Sequence, residues 1–185
     1  MKTIVRIALA ATLAVAPFAA SAAGDWTGVY AGAQVGINSA NANGLSTEQG
    51  LTAGVYGGYD YQLMPFLVVG GNLFWNWNQS KSHTIKGTSS QVDAGTNTYG
   101  GDLRAGFPIG SDGAWMPYGK LGYGWAEPTG DLTGGSWSAW RFGGGVAWRM
   151  HRNFSLDFQY IHQNLGSGSG DYTNDNFTVG ASWHF

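Results

Sequence analysis

Few side chains in this 185-residue chain are equipped for bond-making chemistry. There is no cysteine, which excludes thiol nucleophiles, thiolate metal sites and disulfides. The four histidines, His83, His151, His162 and His184, are scattered and show no metal-ligand spacing. His83 reads as a loop residue, His151 as a turn residue, and His184 as interior or rim. His162 is followed by Gln163-Asn164, and the hydroxyls of Ser167 and Ser169 lie in a Gly-rich stretch without fixed geometry. No nucleophile is held beside a base there. Gly143-Gly144-Gly145 sits inside an alternating apolar run with no helix after it, so it does not read as a nucleotide loop. What remains is a set of isolated charges: Asp60, Asp102, Arg104, Lys120, Arg141, Arg149 and Asp157. Enclosed together, such charges either pair into a salt-bridged core or line a constriction that filters ions.

The elements that carry them follow from composition and periodicity. Formal charge is −2, which excludes a strongly basic nucleic-acid binder. Charged residues make up 11%, against about 25% in an ordinary soluble domain. Gly accounts for 31 residues and aromatics for 15%, a profile that fits neither disorder nor collagen. Residues 1–23 read as a secretory signal peptide: Lys2 and Arg6, then an apolar run over Ile7–Phe18, then Ala20-Ser21-Ala22. Residues 24–185 form the single remaining domain. Its seven bases and eleven acids give a formal charge of −4. No later stretch reaches the roughly 18 apolar residues of a helical span, so a membrane-embedded form must be a closed barrel.

Period-two alternation predicts eight strands: Thr27–Asn38, Leu51–Gln62, 66–78, 98–107, Trp115–Ala126, 140–149, 154–163 and 176–185. One face is aliphatic and aromatic. The other is small and polar, with Gly at 32, 36, 54, 58, 70, 100, 106, 122, 124, 143, 145 and 180. The seven charges fall on this second face, which suits a cramped barrel interior. Tyr30, Tyr56, Phe74 and Tyr118 also point inward and compete with the glycines in setting how much space remains. Neighbouring strands four and five bring Asp102, Arg104 and Lys120 close together. On the apolar face, Trp75, Trp77, Trp125 and Trp140 mark one end. Tyr59, Tyr61, Trp115, Trp148 and Trp183 mark the other, so two aromatic girdles bound an aliphatic band. Connections alternate between long (Ser39–Gly50, Gln79–Gly95, Glu127–Ser136, Asn164–Asp171) and short (Met64-Pro65, Pro108–Ala114, His151–Asn153). The expected fold is an all-β, eight-stranded, antiparallel up-and-down transmembrane barrel.

Several motifs then acquire a family likeness. They are Asp25-Trp26-Thr27-Gly28-Val29-Tyr30-Ala31-Gly32, Gly57-Gly58-Tyr59-Asp60-Tyr61-Gln62, Met116-Pro117-Tyr118-Gly119-Lys120-Leu121-Gly122-Tyr123-Gly124, Phe158-Gln159-Tyr160 with Asn164-Leu165-Gly166, and the terminal Trp183-His184-Phe185. Together they resemble the small outer-membrane β-barrel proteins of Gram-negative bacteria, of the OmpA transmembrane domain, OmpX and porin-like surface antigen type. The resemblance implies location in the outer membrane among its lipids and lipopolysaccharide. It implies that Phe185 is a recognition signal for the outer-membrane assembly machinery, and that outer loops are where host or surface ligands would bind. Some barrels of this type modify lipid A, and a deacylase among them carries His-x-Ser. Here Asn164 stands where that serine would be. The expectation is therefore a non-catalytic, cofactor-free envelope barrel, structural and adhesin-like. A narrow porin-like channel is the alternative, and a lipid A hydrolase built on His162 is third.

Overall fold

The computed structural model describes residues 25–42, 48–84, 91–130, 137–164 and 172–185. These form eight strands: β1 (Gly28–Ala42), β2 (Glu48–Met64), β3 (Leu67–Thr84), β4 (Gln91–Gly106), β5 (Trp115–Gly130), β6 (Trp137–His151), β7 (Phe154–Asn164) and β8 (Tyr172–His184). Each pairs antiparallel with its neighbour in sequence, and β1 pairs with β8, so the sheet closes. Closure leaves no edge, and every strand finds its backbone partners within the wall.

The alternation holds strand by strand, with the apolar face outward. Leu103 is 71% exposed, Val35 64% and Trp140 62%, whereas Asp60 and Asn174 are fully buried. A water-soluble barrel or sandwich would reverse that pattern. The start of β1, Phe185 and the tight turns at Pro65–Phe66 and Arg152–Asn153 share one end, which is the periplasmic end by the short-turn rule. The third connection at this end, between β4 and β5, turns through Gly110 and Gly113, both at positive φ.

The strands run longer than the alternation alone suggests, and the added length lies at the outer end. β3 continues to Thr84 and β4 begins at Gln91, so most of the expected Gln79–Gly95 loop is strand and His83 lies within β3. Ser39–Gly50 and Glu127–Ser136 shrink in the same way. These segments are rich in Ser, Asn, Thr and Gly, which resembles loop composition. Above the lipid band, however, neither face needs apolar residues, and backbone pairing alone extends the ladder. The expected signal peptide and the loop serines Ser167 and Ser169 lie outside the described residues.

Inside, most of the glycines mark places where a large neighbour leans across the lumen. A Cβ at Gly145 would stand 2.6 Å from Tyr118 Oη, one at Gly32 would stand 2.8 Å from the Tyr56 ring, and one at Gly58 would stand 2.8 Å from Tyr30 Oη. Phe74 covers both Gly100 and Gly124. At these places, space left by glycine is filled by Tyr30, Tyr56, Phe74 and Tyr118.

Candidate functional site

The interior charges are organised by that glycine pattern. Asp60 on β2, Gly70 on β3 and Arg104 on β4 stand in one row of the register, and the acid and base meet across the glycine. Arg104 Nε donates to Asp60 Oδ1 at 2.7 Å, and Arg104 Nη2 donates to Asp60 Oδ2. Asp102, Gly122 and Arg141 repeat the row on β4, β5 and β6, with Nε of Arg141 3.0 Å from Oδ1 of Asp102. Gln34, Gly54 and Asn76 repeat it with neutral groups, joined at 2.7 Å. In each row the middle strand contributes no side chain, so its neighbours meet directly, by hydrogen bonds in the first and third rows and as an ion pair in the second.

Asp102, Arg104 and Lys120 do lie close together, but each bonds to a partner outside that trio. Arg104 and Lys120 do face each other in the register, yet they bond in opposite directions. Arg104 turns to Asp60, while Lys120 Nζ donates to Gln159 Oε1 on β7 at 3.0 Å. Asp102 pairs with Arg141. Asp157 accepts from Tyr118 Oη at 2.7 Å and has no ion-pair partner among the described residues. The guanidiniums also lie against rings: Arg141 is 3.5 Å from the Phe74 centroid and Arg104 is 4.6 Å from that of Tyr30. Such desolvated cation–ring contacts add to pairing. Arg104, Arg141, Arg149, Asp60, Asp102 and Asp157 are buried, and Lys120 is half-buried.

Below these rows the periplasmic mouth is closed by the segment that precedes β1. Trp26 is fully buried among Val68, Met116, Tyr118 and Ala147. Its indole Nε1 donates to the Gly113 carbonyl at 3.0 Å, and its backbone N–H donates to Gln62 Oε1 at 3.0 Å. Arg149 lies 4.2 Å from the indole centroid and donates to the Asp25 carbonyl. Arg149 also meets His184 Nδ1 at 3.1 Å, while His184 Nε2 meets Ser155 Oγ at 2.8 Å. Alternation finds Arg149 but misses Trp26. The chain has to enter the barrel before its first strand, and no periodicity announces that.

Toward the outer end the lining becomes neutral. Asn38, Asn78, Thr96, Gln163, Asn174, Asn176 and Thr178 are all buried there. Gln163 Nε2, Asn174 Nδ2 and Thr178 Oγ1 make no hydrogen bond among the described residues and are placed to hold internal water.

On the outside, Trp75 stacks on Trp77, and Tyr123 meets Trp125 and Trp140 edge-on. At the other end Trp115 stacks on Trp148 at 5.0 Å, and Tyr59, Tyr61 and Trp183 are exposed. Phe185 is exposed too, with its backbone N–H on the Val29 carbonyl. Above the outer aromatics lie polar pairs: Tyr99 Oη donates to Glu127, Tyr123 Oη to Ser138 and Tyr160 Oη to Asp175. His162 Nδ1 also meets Asp175 Oδ1, at 2.7 Å, and its ring packs on Phe142. Among the described residues no group of His, Asp or Glu suits a metal ion.

A closed antiparallel barrel with an apolar exterior band, aromatic ends and a polar interior is a transmembrane β-barrel of the outer-membrane class. The chain belongs to the outer membrane protein beta-barrel domain family, whose model matches residues 7–185, and it is an outer-membrane protein. Its fold is similar to that of Neisserial surface protein A, at 16% identity and TM-score 0.65, covering 86% of this chain and 98% of that one. It is also similar to Ail, the attachment invasion locus protein of Yersinia pestis, at 17% identity and TM-score 0.56, covering 86% and 99%. The outer membrane protein OprG from Pseudomonas aeruginosa matches at 12% identity and TM-score 0.58, covering 89% and 99%. At these identities the likeness is one of fold. No curated protein matches the sequence.

Proposed function

We propose that this protein is a non-catalytic envelope barrel with a sealed lumen, acting through its stability in the membrane and through contacts at its outer face. The observation that carries this reading is the succession of closures across the interior: Trp26 with Arg149, then Asp60 with Arg104, then Asp102 with Arg141. An ion channel lined by Asp102, Arg104, Lys120 and Arg141 needs those charges free to face water, and each is engaged by a protein partner. Planar-bilayer recording of the refolded protein tests the reading. A silent bilayer with insertion shown independently supports it, and discrete reproducible steps overturn it.

The outer strand ends and the connections between them carry six acids (Glu48, Asp93, Glu127, Asp131, Asp171, Asp175) against two lysines (Lys81, Lys86). Like charges are repelled at such a surface, so its partners are neutral or cationic. Ail has been solved with the heparin analogue sucrose octasulfate. The acid excess here predicts no binding of that polyanion. For a lipid A hydrolase, His162 and Asp175 supply a base and its orienter, but Asn164 occupies the nucleophile position of the motif. An unchanged lipid A acyl pattern on expression is expected. Export by residues 1–23 and assembly through Phe185 complete the proposal.

A further inference from the structure

The residues ahead of β1 are tied to every hairpin turn at the periplasmic end. Asp25 Oδ1 accepts the Thr27 N–H at 2.9 Å, an Asx turn that shapes the strap Asp25–Thr27. At β2–β3, the Trp26 N–H donates to Gln62 Oε1 and the Gln62 N–H donates to Thr27 Oγ1, while Gln62 Nε2 donates to the Pro65 carbonyl. At β4–β5, the indole donates to the Gly113 carbonyl. At β6–β7, Arg149 donates to the Asp25 carbonyl. The last strand joins through His184, whose ring meets the indole edge-on at 5.9 Å and whose backbone exchanges two hydrogen bonds with Asn153. The bonds to Gln62, Gly113 and Arg149 reach across 36, 87 and 124 residues of chain.

Arg149 is aimed by His184. A guanidinium only donates, so His184 Nδ1, 3.1 Å from Arg149 Nη2, is the acceptor and Nε2 carries the ring proton. That Nε2–H donates to Ser155 Oγ at 2.8 Å. Ser155 and His184 are therefore not a nucleophile and its base, because the ring nitrogen facing the hydroxyl is already protonated. The serine fixes the imidazole, and the imidazole holds Arg149 over Trp26.

We propose that Asp25–Thr27 is a latch that docks after the barrel has closed and sets the lifetime of the folded protein, with Arg149 as its catch and His184 as the residue that positions the catch. The socket for Trp26 has walls from Val68 on β3, Met116 on β5, Ala147 on β6 and His184 on β8. No single hairpin contains it, so nothing receives the indole until the sheet is assembled. Contacts made after the rate-limiting step leave the folding rate unchanged and act on unfolding alone. The Asp60–Arg104 pair is the opposite case. It spans only β2–β4, 44 residues apart, within contiguous hairpins. The latch acts whether or not the lumen conducts.

The test measures folding and unfolding rates of the protein in vesicles over a urea series, with heat-modifiability on a gel as the readout. W26A unfolds on the order of a hundredfold faster or more, and its folding rate stays within about twofold of the parent. R149M shows the same partition, with unfolding about tenfold faster or more. H184F follows R149M, whereas H184N, which keeps an acceptor in the place of Nδ1, recovers most of the loss. D60N divides its effect between the two rates. If W26A forms no heat-modifiable barrel, W26F replaces it; it keeps a ring but drops the bond to Gly113, and the same partition is expected at smaller size. Folding slowed in proportion to the stability lost, unfolding rates unmoved by the strap variants, H184N no better than H184F, or the same partition in D60N as in W26A each overturns the proposal.

Discussion

The Asp60–Arg104 pair separates a sealed lumen from a wet one, and the difference is large enough to measure. Asp60 is fully buried and Arg104 is 7% exposed. Two charge-assisted hydrogen bonds join them across Gly70. Removing one member of a buried pair costs about 3–5 kcal/mol, because the other charge stays desolvated and unpaired. In a water-filled lumen the same pair, a few ångströms apart, contributes about 1 kcal/mol. The two substitutions are not equivalent. The lumen holds four bases (Arg104, Lys120, Arg141, Arg149) and three acids (Asp60, Asp102, Asp157). Asp60→Asn leaves Arg104 opposite Lys120 in the register, whereas Arg104→Met removes one cation of that facing pair. Asp60→Asn therefore costs more than Arg104→Met, and the double variant costs less than their sum by about 2 kcal/mol. The assay is urea unfolding of the refolded protein in vesicles, followed by tryptophan fluorescence and extrapolated linearly. Single losses below about 1 kcal/mol that add without coupling would refute the dry-pair reasoning, and the sealed-lumen proposal with it.

Three further outcomes follow from the same interior. Gly70→Ala places a methyl against the Asp60 carboxylate and destabilises by roughly as much as losing a partner of the pair, about 3 kcal/mol, while Gly71→Ala changes stability by well under 1 kcal/mol; the same unfolding assay compares them. Trp26→Ala costs about 3–5 kcal/mol, and the bilayer stays silent because Asp60–Arg104 and Asp102–Arg141 still cross the lumen, as paired unfolding and conductance measurements would show. Phe185→Ala lowers the folded yield in cells but not refolding in detergent, since the exposed ring meets lipid and the backbone N–H bond to Val29 is kept; heat-modifiability on a gel distinguishes the two cases.

Much of this architecture was legible in the sequence because alternation carries its own phase. Phe177, Val179, Ala181 and Trp183 outward and Asn176, Thr178, Gly180 and Ser182 inward follow from a period of two and nothing else. Membership of the lumen set was legible for the same reason. Pairing within it was not, because nearest strands are the wrong guide when the residue directly opposite is glycine. Asp102 faces Gly122 and therefore reaches Arg141, one strand further on. The register that reveals this depends on how the eight strands stagger around the axis, a property of the closed sheet and not of any one segment. Strand ends above the lipid were hidden for a different reason. There the faces are no longer sorted by polarity, so Lys81–Thr84 and Gln91–Ala94 pair without a pattern.

Glycine thus has opposite meanings on the two faces of one strand. The doublets Gly57-Gly58, Gly70-Gly71 and Gly100-Gly101 lie on β2, β3 and β4. In each doublet one member faces inward and is covered by a neighbour: Tyr30 Oη over Gly58, the Asp60 carboxylate over Gly70, the Phe74 ring over Gly100. The other member faces the membrane, and no side chain bonds or packs tightly across it. Inward, a methyl collides with a buried polar or aromatic group. Outward at Gly71 and Gly101, it meets only ordinary contacts. Composition counts both as the same residue. The inner members explain why so many large side chains fit inside an eight-stranded barrel. The outer members at Gly71 and Gly101 leave the membrane-facing wall bare at places the barrel does not need for its own packing.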